Sequence, residues 1–199
     1  MLTRDGDAMM RDRRSRAALV ALLAALAACG GGRGMRYQDP KMDFGAIRTV
    51  AVMPFANLSR DNLAADRVRD VFATELLATG AVYVIPAGEV TRAIGAVGVA
   101  MPQAPSAEDI VKLGTALKAD GIIAAVVKEY GEVRSGAATS NVVSMSVQLF
   151  ETGTGRVVWA GSTTRGGVTF GDRLLGGGGR PLNDVTEAAV DDILGKMLD

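Results

Sequence analysis

A run of twelve apolar residues, Ala17 to Ala28, stops at the only cysteine of the chain, Cys29, and splits the sequence into two parts that obey different rules. Arg11, Arg13, Arg14 and Arg16 precede the run, and Gly30-Gly31-Gly32 follows it. Twelve residues are too few to cross a hydrocarbon core, which takes roughly 20 helical residues. A basic stretch, a short apolar stretch and an abrupt stop have the layout of an export signal. The alternative, a buried N-terminal Ala/Leu helix, leaves the arginine cluster and the glycine stop unexplained. No later stretch is long and apolar enough to span a bilayer as a helix. Asp5 and Asp7 are unusual ahead of a basic region, so Met9 or Met10 is an alternative start.

The rest of the composition narrows the chemistry. The 199 residues contain no histidine. That removes the usual general base, the Ser-His-Asp and Cys-His nucleophile systems and most catalytic zinc sites. A single cysteine makes neither an internal disulfide nor a thiolate metal cluster, so an apolar core must hold the fold. With 48% apolar residues, a chain of this length can bury one. Lys plus Arg and Asp plus Glu balance at 22 each, without the basic surplus expected of a nucleic-acid binder. Loss of residues 1–28 takes five arginines and three aspartates from those totals and leaves a mature chain of net charge −2.

Leu26-Ala27-Ala28-Cys29 resembles, at every position, the lipobox of bacterial lipoprotein signals. The resemblance implies cleavage before Cys29, diacylglycerol on its sulfur and a further acyl chain of the palmitate type on its new amino group. Several chains on one residue hold a protein stably, at about 0.8 kcal/mol per buried CH₂, where one chain does so marginally. Gly30 rather than Asp after the cysteine implies the outer membrane, with the domain facing the periplasm. The expected organisation is therefore a signal peptide over 1–28, the lipidated cysteine and a flexible tether over 29–45, and a periplasmic α/β domain over 46–199. Sixteen tether residues, 30–45, reach at most about 58 Å.

Within the domain, Ile47-Arg-Thr-Val-Ala-Val-Met-Pro54 reads as a buried strand. Asp61 or Asn62 caps a helix running to about Thr79, which Gly80 stops. Val82–Ile85 is a second strand, and residues 87–97 form a short helix. Ser106-Ala-Glu-Asp109 has the form of a capping box ahead of a helix that places Ile110, Leu113, Gly114 and Leu117 on one face. Ile122-Ile-Ala-Ala-Val-Val127 is apolar without alternation, the mark of a central strand covered on both faces. Val143, Met145, Val147 and Leu149 alternate with polar residues, so that one face is buried and the other is wet or lightly covered. Thr152-Gly-Thr-Gly155 turns the chain into Val157–Ala160, and a last helix runs from about Asn183 to Leu198. The expectation is one α/β domain with a mixed sheet of about five strands, flanking helices and a C-terminal helix.

None of the chemical motifs holds. Gly153-Thr-Gly155 lacks the third glycine and the helix of a dinucleotide loop. Gly176-Gly177-Gly178-Gly179 lacks the Gly-Lys-Ser/Thr of a phosphate loop; four glycines are costly to order, and a partner is what would fix such a loop. Glu108-Asp109 and Asp191-Asp192 sit where capping or a solvated helix face accounts for them. Tyr130 and Trp159 would suggest a ligand cleft only if they lined one pocket with carboxylates. No catalytic residue, metal or cofactor is expected.

Three ordered blocks carry a family likeness: Thr49-Val-Ala-Val-Met-Pro-Phe-Ala-Asn-Leu-Ser59, Leu117–Gly131 around Ala-Asp-Gly-Ile-Ile, and Val147–Trp159 around Glu-Thr-Gly-Thr-Gly. They resemble a group of periplasmic lipoproteins that includes the curli-secretion lipoprotein CsgG, the penicillin-binding-protein activator LpoB, Neisseria-type surface lipoproteins and the N-terminal domain of TolB. The likeness implies a non-catalytic accessory or assembly factor of an envelope or secretion complex, with an envelope protein as partner and a homo-oligomer as a further option. Residues 131–141 and 166–181 are too short for the membrane strands of a secretion pore, which need about nine to eleven alternating residues each. The alternatives are an LpoB-type activator of a peptidoglycan synthase, and a periplasmic small-ligand binder or hydrolase.

Overall fold

The computed structural model describes residues 35–135, 138–167 and 179–199. In chain order these form β1 (Arg36–Gln38), a 3-10 turn (Phe44–Ala46), β2 (Thr49–Val52), β3 (Ala56–Asn57), α1 (Ala64–Thr79) and β4 (Tyr83–Val84). There follow α2 (Ala87–Val97), α3 (Ala107–Leu117), β5 (Gly121–Ser135), β6 (Ala138–Glu151), β7 (Val157–Gly166) and α4 (Leu182–Leu198). One mixed sheet runs β1-β7-β6-β5-β2-β4, and β3 pairs β5 off this path. It has seven strands where about five were expected. β2, β3 and β4 pair parallel and the β5–β6–β7–β1 half antiparallel.

The helices divide between the two faces. Along β5 and β6, Ile123, Ala125, Val127, Val143, Met145 and Val147 alternate onto the side covered by α1 and α4. There they meet Val68, Phe72 and Leu76 of α1 and Val185, Ala189 and Ile193 of α4. Phe55 and Phe72 pack edge to face, with ring centroids 5.7 Å apart. Among the described residues the opposite side is covered over β2 and the start of β5, where Ala51, Met53 and Ile122 bury Val90 of α2 and Ile110 and Leu113 of α3. The domain therefore has three layers over one half of the sheet and two over the other.

The local signals act as the sequence suggests. Ser106 Oγ accepts from Asp109 N at 3.1 Å while Asp109 Oδ2 accepts from Ser106 N at 3.0 Å, the reciprocal capping box at the start of α3. Gly80 ends α1 at φ 64. At the other end of α1 the helix begins later than expected, because Asp61 Oδ1 accepts from Leu63 N at 2.8 Å and holds a turn ahead of it.

The tether reading needs correction. Arg36, Tyr37 and Gln38 pair antiparallel with Gly161, Ala160 and Trp159, so three residues from the middle of 29–45 belong to the sheet. Asp39 fastens them: its buried carboxylate accepts from Lys41 N at 2.9 Å and lies 3.2 Å from the Arg156 guanidinium.

Trp159 is a core residue, 1% exposed, and its ring occupies the space that a Cβ on Gly161 would need, 2.5 Å away. Its Nε1 is buried with no hydrogen-bond partner among the described residues. Trp159→Ala should lower stability by about 3–5 kcal/mol. Trp159→Phe should cost well under half of that, because the lost volume is offset by removal of an unsatisfied donor worth about 1–3 kcal/mol. Urea titration of the two variants checks the difference.

Candidate functional site

The half of the sheet that the described helices leave uncovered forms a trough of about 750 Å³. Its floor is set by register. Ala124, Gln148, Ala160 and Tyr37 lie in one cross-strand row, and Val126, Ser146 and Ser162 in the next. Side chains directly opposite share a face, so these rows point away from α1 and α4. Met35 and Tyr37 form one bank, and Gln103, Ala104 and Pro105 form the other. A register shift after Val127 places Glu129 opposite Ser144, and Tyr130 turns to the helix side, where it packs on the core. The floor offers small hydroxyls, an amide and methyl groups, with the cations Lys128 and Arg36 at its margin and no carboxylate among the described residues that line it. That suits contact with another surface better than chemistry on a small molecule.

The carboxylate pairs have structural uses. Asp109 belongs to the capping box, and Glu108 pairs with Lys112 one turn on, at 2.6 Å. Asp192 ties α4 to β7: its carboxylate accepts from Thr163 Oγ1 and Lys196 Nζ, each at 2.6 Å, and pairs with Arg165. Burial pushes the Asp192 pKa up, but the hydrogen bonds from Lys196 and Thr163 and the charges of Lys196 and Arg165 outweigh it and hold it below the usual carboxylate range. Among the described residues no group of three or more His, Cys, Asp or Glu is arranged to hold a metal ion.

A second concavity of about 710 Å³ lies between α1 and α4, with Glu75 facing Asp184, Glu187 and Asp191, and Arg180 at its edge. Burial, then the charges of Asp191 and Glu187, push the Glu75 pKa up to about 7. A raised folded pKa means that the folded protein holds the proton more tightly than the unfolded chain does. The stabilisation from Glu75 is therefore complete below its ordinary pKa and is lost as pH rises through about 7. Glu75→Gln should flatten the fall in Tm between about pH 4.5 and 7.5. Thermal unfolding across that range checks it, and an unchanged slope would place the effect elsewhere.

The other candidates separate. Tyr130 borders a cleft beside Leu58 to Asp61, while Trp159 is buried on the helix side, so the two do not line one pocket. Leu26, Ala27, Ala28, Cys29, Gly176, Gly177 and Gly178 lie outside the described residues. Gly179 is described, and a Cβ there would fall 2.4 Å from Ser140 Oγ; beside it Asn141 Nδ2 donates to Arg180 O at 2.9 Å. This end of the glycine run is thus pressed onto β6.

A model of the GNA1162-like lipoproteins matches residues 42–199. The chain belongs to that family. It is similar in fold to the crystal structure of lipoprotein GNA1162 from Neisseria meningitidis. The two are 24% identical over 74% of this chain and 99% of that one, with a TM-score of 0.50. It is also similar to a variant PelC dodecamer from Paraburkholderia phytofirmans, 19% identical over 82% of this chain and 97% of the other, with a TM-score of 0.55. A second PelC dodecamer from that organism gives 17%, 83%, 98% and 0.54. No curated protein matches the chain. Membership bears out the Neisseria-type part of the resemblance and the mixed α/β architecture. Sequence reasoning missed the trough as a surface, although its Ser144-x-Ser146-x-Gln148 pattern was the available signal.

Proposed function

We propose that this family member is an outer-membrane lipoprotein, anchored through lipid on Cys29 and facing the periplasm. In this reading it acts without catalysis, as an accessory factor of an envelope assembly or secretion complex, through contacts with an envelope protein and with further copies of itself. The half-covered sheet carries the reading: a register-matched floor of mostly small side chains, wide and open, is left bare by the described helices. The family's lipoprotein character and the lipobox at Leu26–Cys29 support the anchor. The dodecameric PelC structures support self-assembly.

The LpoB-type alternative is disfavoured by reach. With β1 in the sheet, six residues lie between Cys29 and Arg36, and the seven residue steps reach about 25 Å at full extension. Affinity capture of the acylated protein from detergent-solubilised envelopes, with Gln148→Arg and Ser146→Arg as trough-blocking variants, tests the reading. The wild type should retain a discrete partner or further copies and the variants should lose them. Capture of neither by the wild type contradicts the reading.

A further inference from the structure

The edge of the sheet at which the chain enters the domain differs from the rest of the surface. Met35 is 86% exposed and Tyr37 48% exposed, and no residue of β1 is buried. Around them stand Arg36, Lys41 and Arg156, all exposed. Arg156 is offset by its ion pair with Asp39 and exposed Asp43 offsets part of the rest, so the edge keeps a small positive balance carried by Arg36 and Lys41. Asp39 is buried and engaged by Arg156 and Lys41 N, and Asp43 is turned into the 3-10 turn, where it accepts from Gly45 N at 3.0 Å. The result is an outermost strand with two large exposed side chains, a weakly cationic rim and, among the described residues, one unpaired backbone edge, a combination that folded proteins usually cover.

Chain length says what covers it. Five residues lie between Cys29 and Met35, so six residue steps put Met35 within about 22 Å of the anchoring cysteine. We propose that the β1 edge rests on an anionic lipid bilayer, with Met35 and Tyr37 entering the headgroup region and Arg36 and Lys41 against anionic headgroups. This inference rests on the reading of Cys29 as a lipid anchor. The chemistry matches on both counts. Tyrosine and methionine present an apolar body to the acyl boundary, and tyrosine keeps its hydroxyl at the wet level. Cations gain from an anionic surface once they come within a Debye length, about 8–10 Å. The anchor and the edge then act as two signals, which is what stable and oriented attachment takes. In that orientation the trough opens beside the membrane, with its Tyr37 bank nearest the lipid.

Two measurements test it. The mature acylated protein, labelled at its methionine methyls, is reconstituted in phosphatidylethanolamine/phosphatidylglycerol vesicles that carry a headgroup spin label. The Met35 signal should be attenuated several-fold more than that of exposed Met101, while buried Met53 and Met145 stay sharp. Equal attenuation of Met35 and Met101 overturns the orientation. The second measurement floats the unacylated chain from residue 29, Cys29→Ala, with vesicles of phosphatidylglycerol or of phosphatidylcholine alone. It should bind the anionic vesicles preferentially, and Arg36→Gln with Lys41→Gln should weaken that binding about tenfold. Equal binding to both lipids, wild-type binding by the double variant, or Tyr37-to-Tyr37 cross-links between copies would each overturn it. Because this arm needs no acylation, a failure of the Cys29 reading shows separately, as absence of lipid on the purified protein.

Discussion

Replacing Cys29 by alanine, in a chain exported behind a cleavable signal that is not lipidated, should move the protein from the outer-membrane fraction to the soluble periplasmic fraction. No helix among the described residues is long and apolar enough to cross a membrane. The mature chain is slightly acidic overall, and the cationic β1 edge offers a weak and salt-sensitive hold. Acyl chains contribute about 0.8 kcal/mol for every buried CH₂, many times what a few surface charges supply. The expected change is therefore nearly complete at physiological salt. Fractionation with immunodetection reads it, and retention of the variant in the outer membrane would show that the hold lies elsewhere.

Gly155→Val should be the most damaging single substitution in the β6–β7 turn. Gly155 has φ 71, where a β-branched residue is strained, and a Cβ there would fall 2.4 Å from the Ala107 carbonyl oxygen in the first turn of α3. The clash is with backbone and cannot be relieved by a rotamer change. The turn is also locked from its other end. Thr152 Oγ1 donates to Ala119 O at 2.6 Å, Thr152 N donates to Asp120 O at 3.1 Å, and the Thr152 side chain fills the place of the Cβ that Gly114 lacks. Asp120 in turn accepts from Arg48 N and Thr49 N, each at 2.9 Å, which ties the turn to the start of β2. Strain of about 1–3 kcal/mol and overpacking of about 1–3 kcal/mol together make a large share of a domain stability of about 5–15 kcal/mol. At about 2–4 °C per kcal/mol, Tm should fall by roughly 5–20 °C. Gly95→Ala is the control of opposite sign. It is an exposed position inside α2 with nothing within 4 Å of the added Cβ, and it should stabilise by about 0.5–1 kcal/mol. Thermal unfolding of the two variants beside the wild type checks both signs.

What was legible in the residues follows from what each element depends on. The Ile122–Val127 run, the Ser106 capping box and Gly80 depend on apolar pattern and local chemistry, and these are visible in one sequence. β1 and the outer half of the β5–β6 hairpin depend on backbone pairing. Arg36-Tyr-Gln38 is exposed throughout, and Glu129 to Arg134 pairs with Thr139 to Ser144 without a continuous apolar face. Such stretches leave no periodicity, and β1 and the two-residue β3, which read as tether and loop, make the difference between seven strands and five. The Asp192 hub was hidden for another reason: its partners Thr163 and Arg165 come from a strand about 30 residues earlier and meet it only in the fold. For the trough, the alternation of β6 already implied a lightly covered face. Its width came from the placement of α2 and α3 over the other half of the sheet, which no residue pattern announces.

The most direct test of a lipid-anchored contact protein is native mass spectrometry of the complex released from the outer membrane in mild detergent. The account predicts a chain that begins at Cys29 and carries diacylglyceryl and N-acyl mass, in association with further copies or with a second envelope protein. An unmodified chain, or an acylated chain that stays strictly monomeric and without a partner, would contradict it.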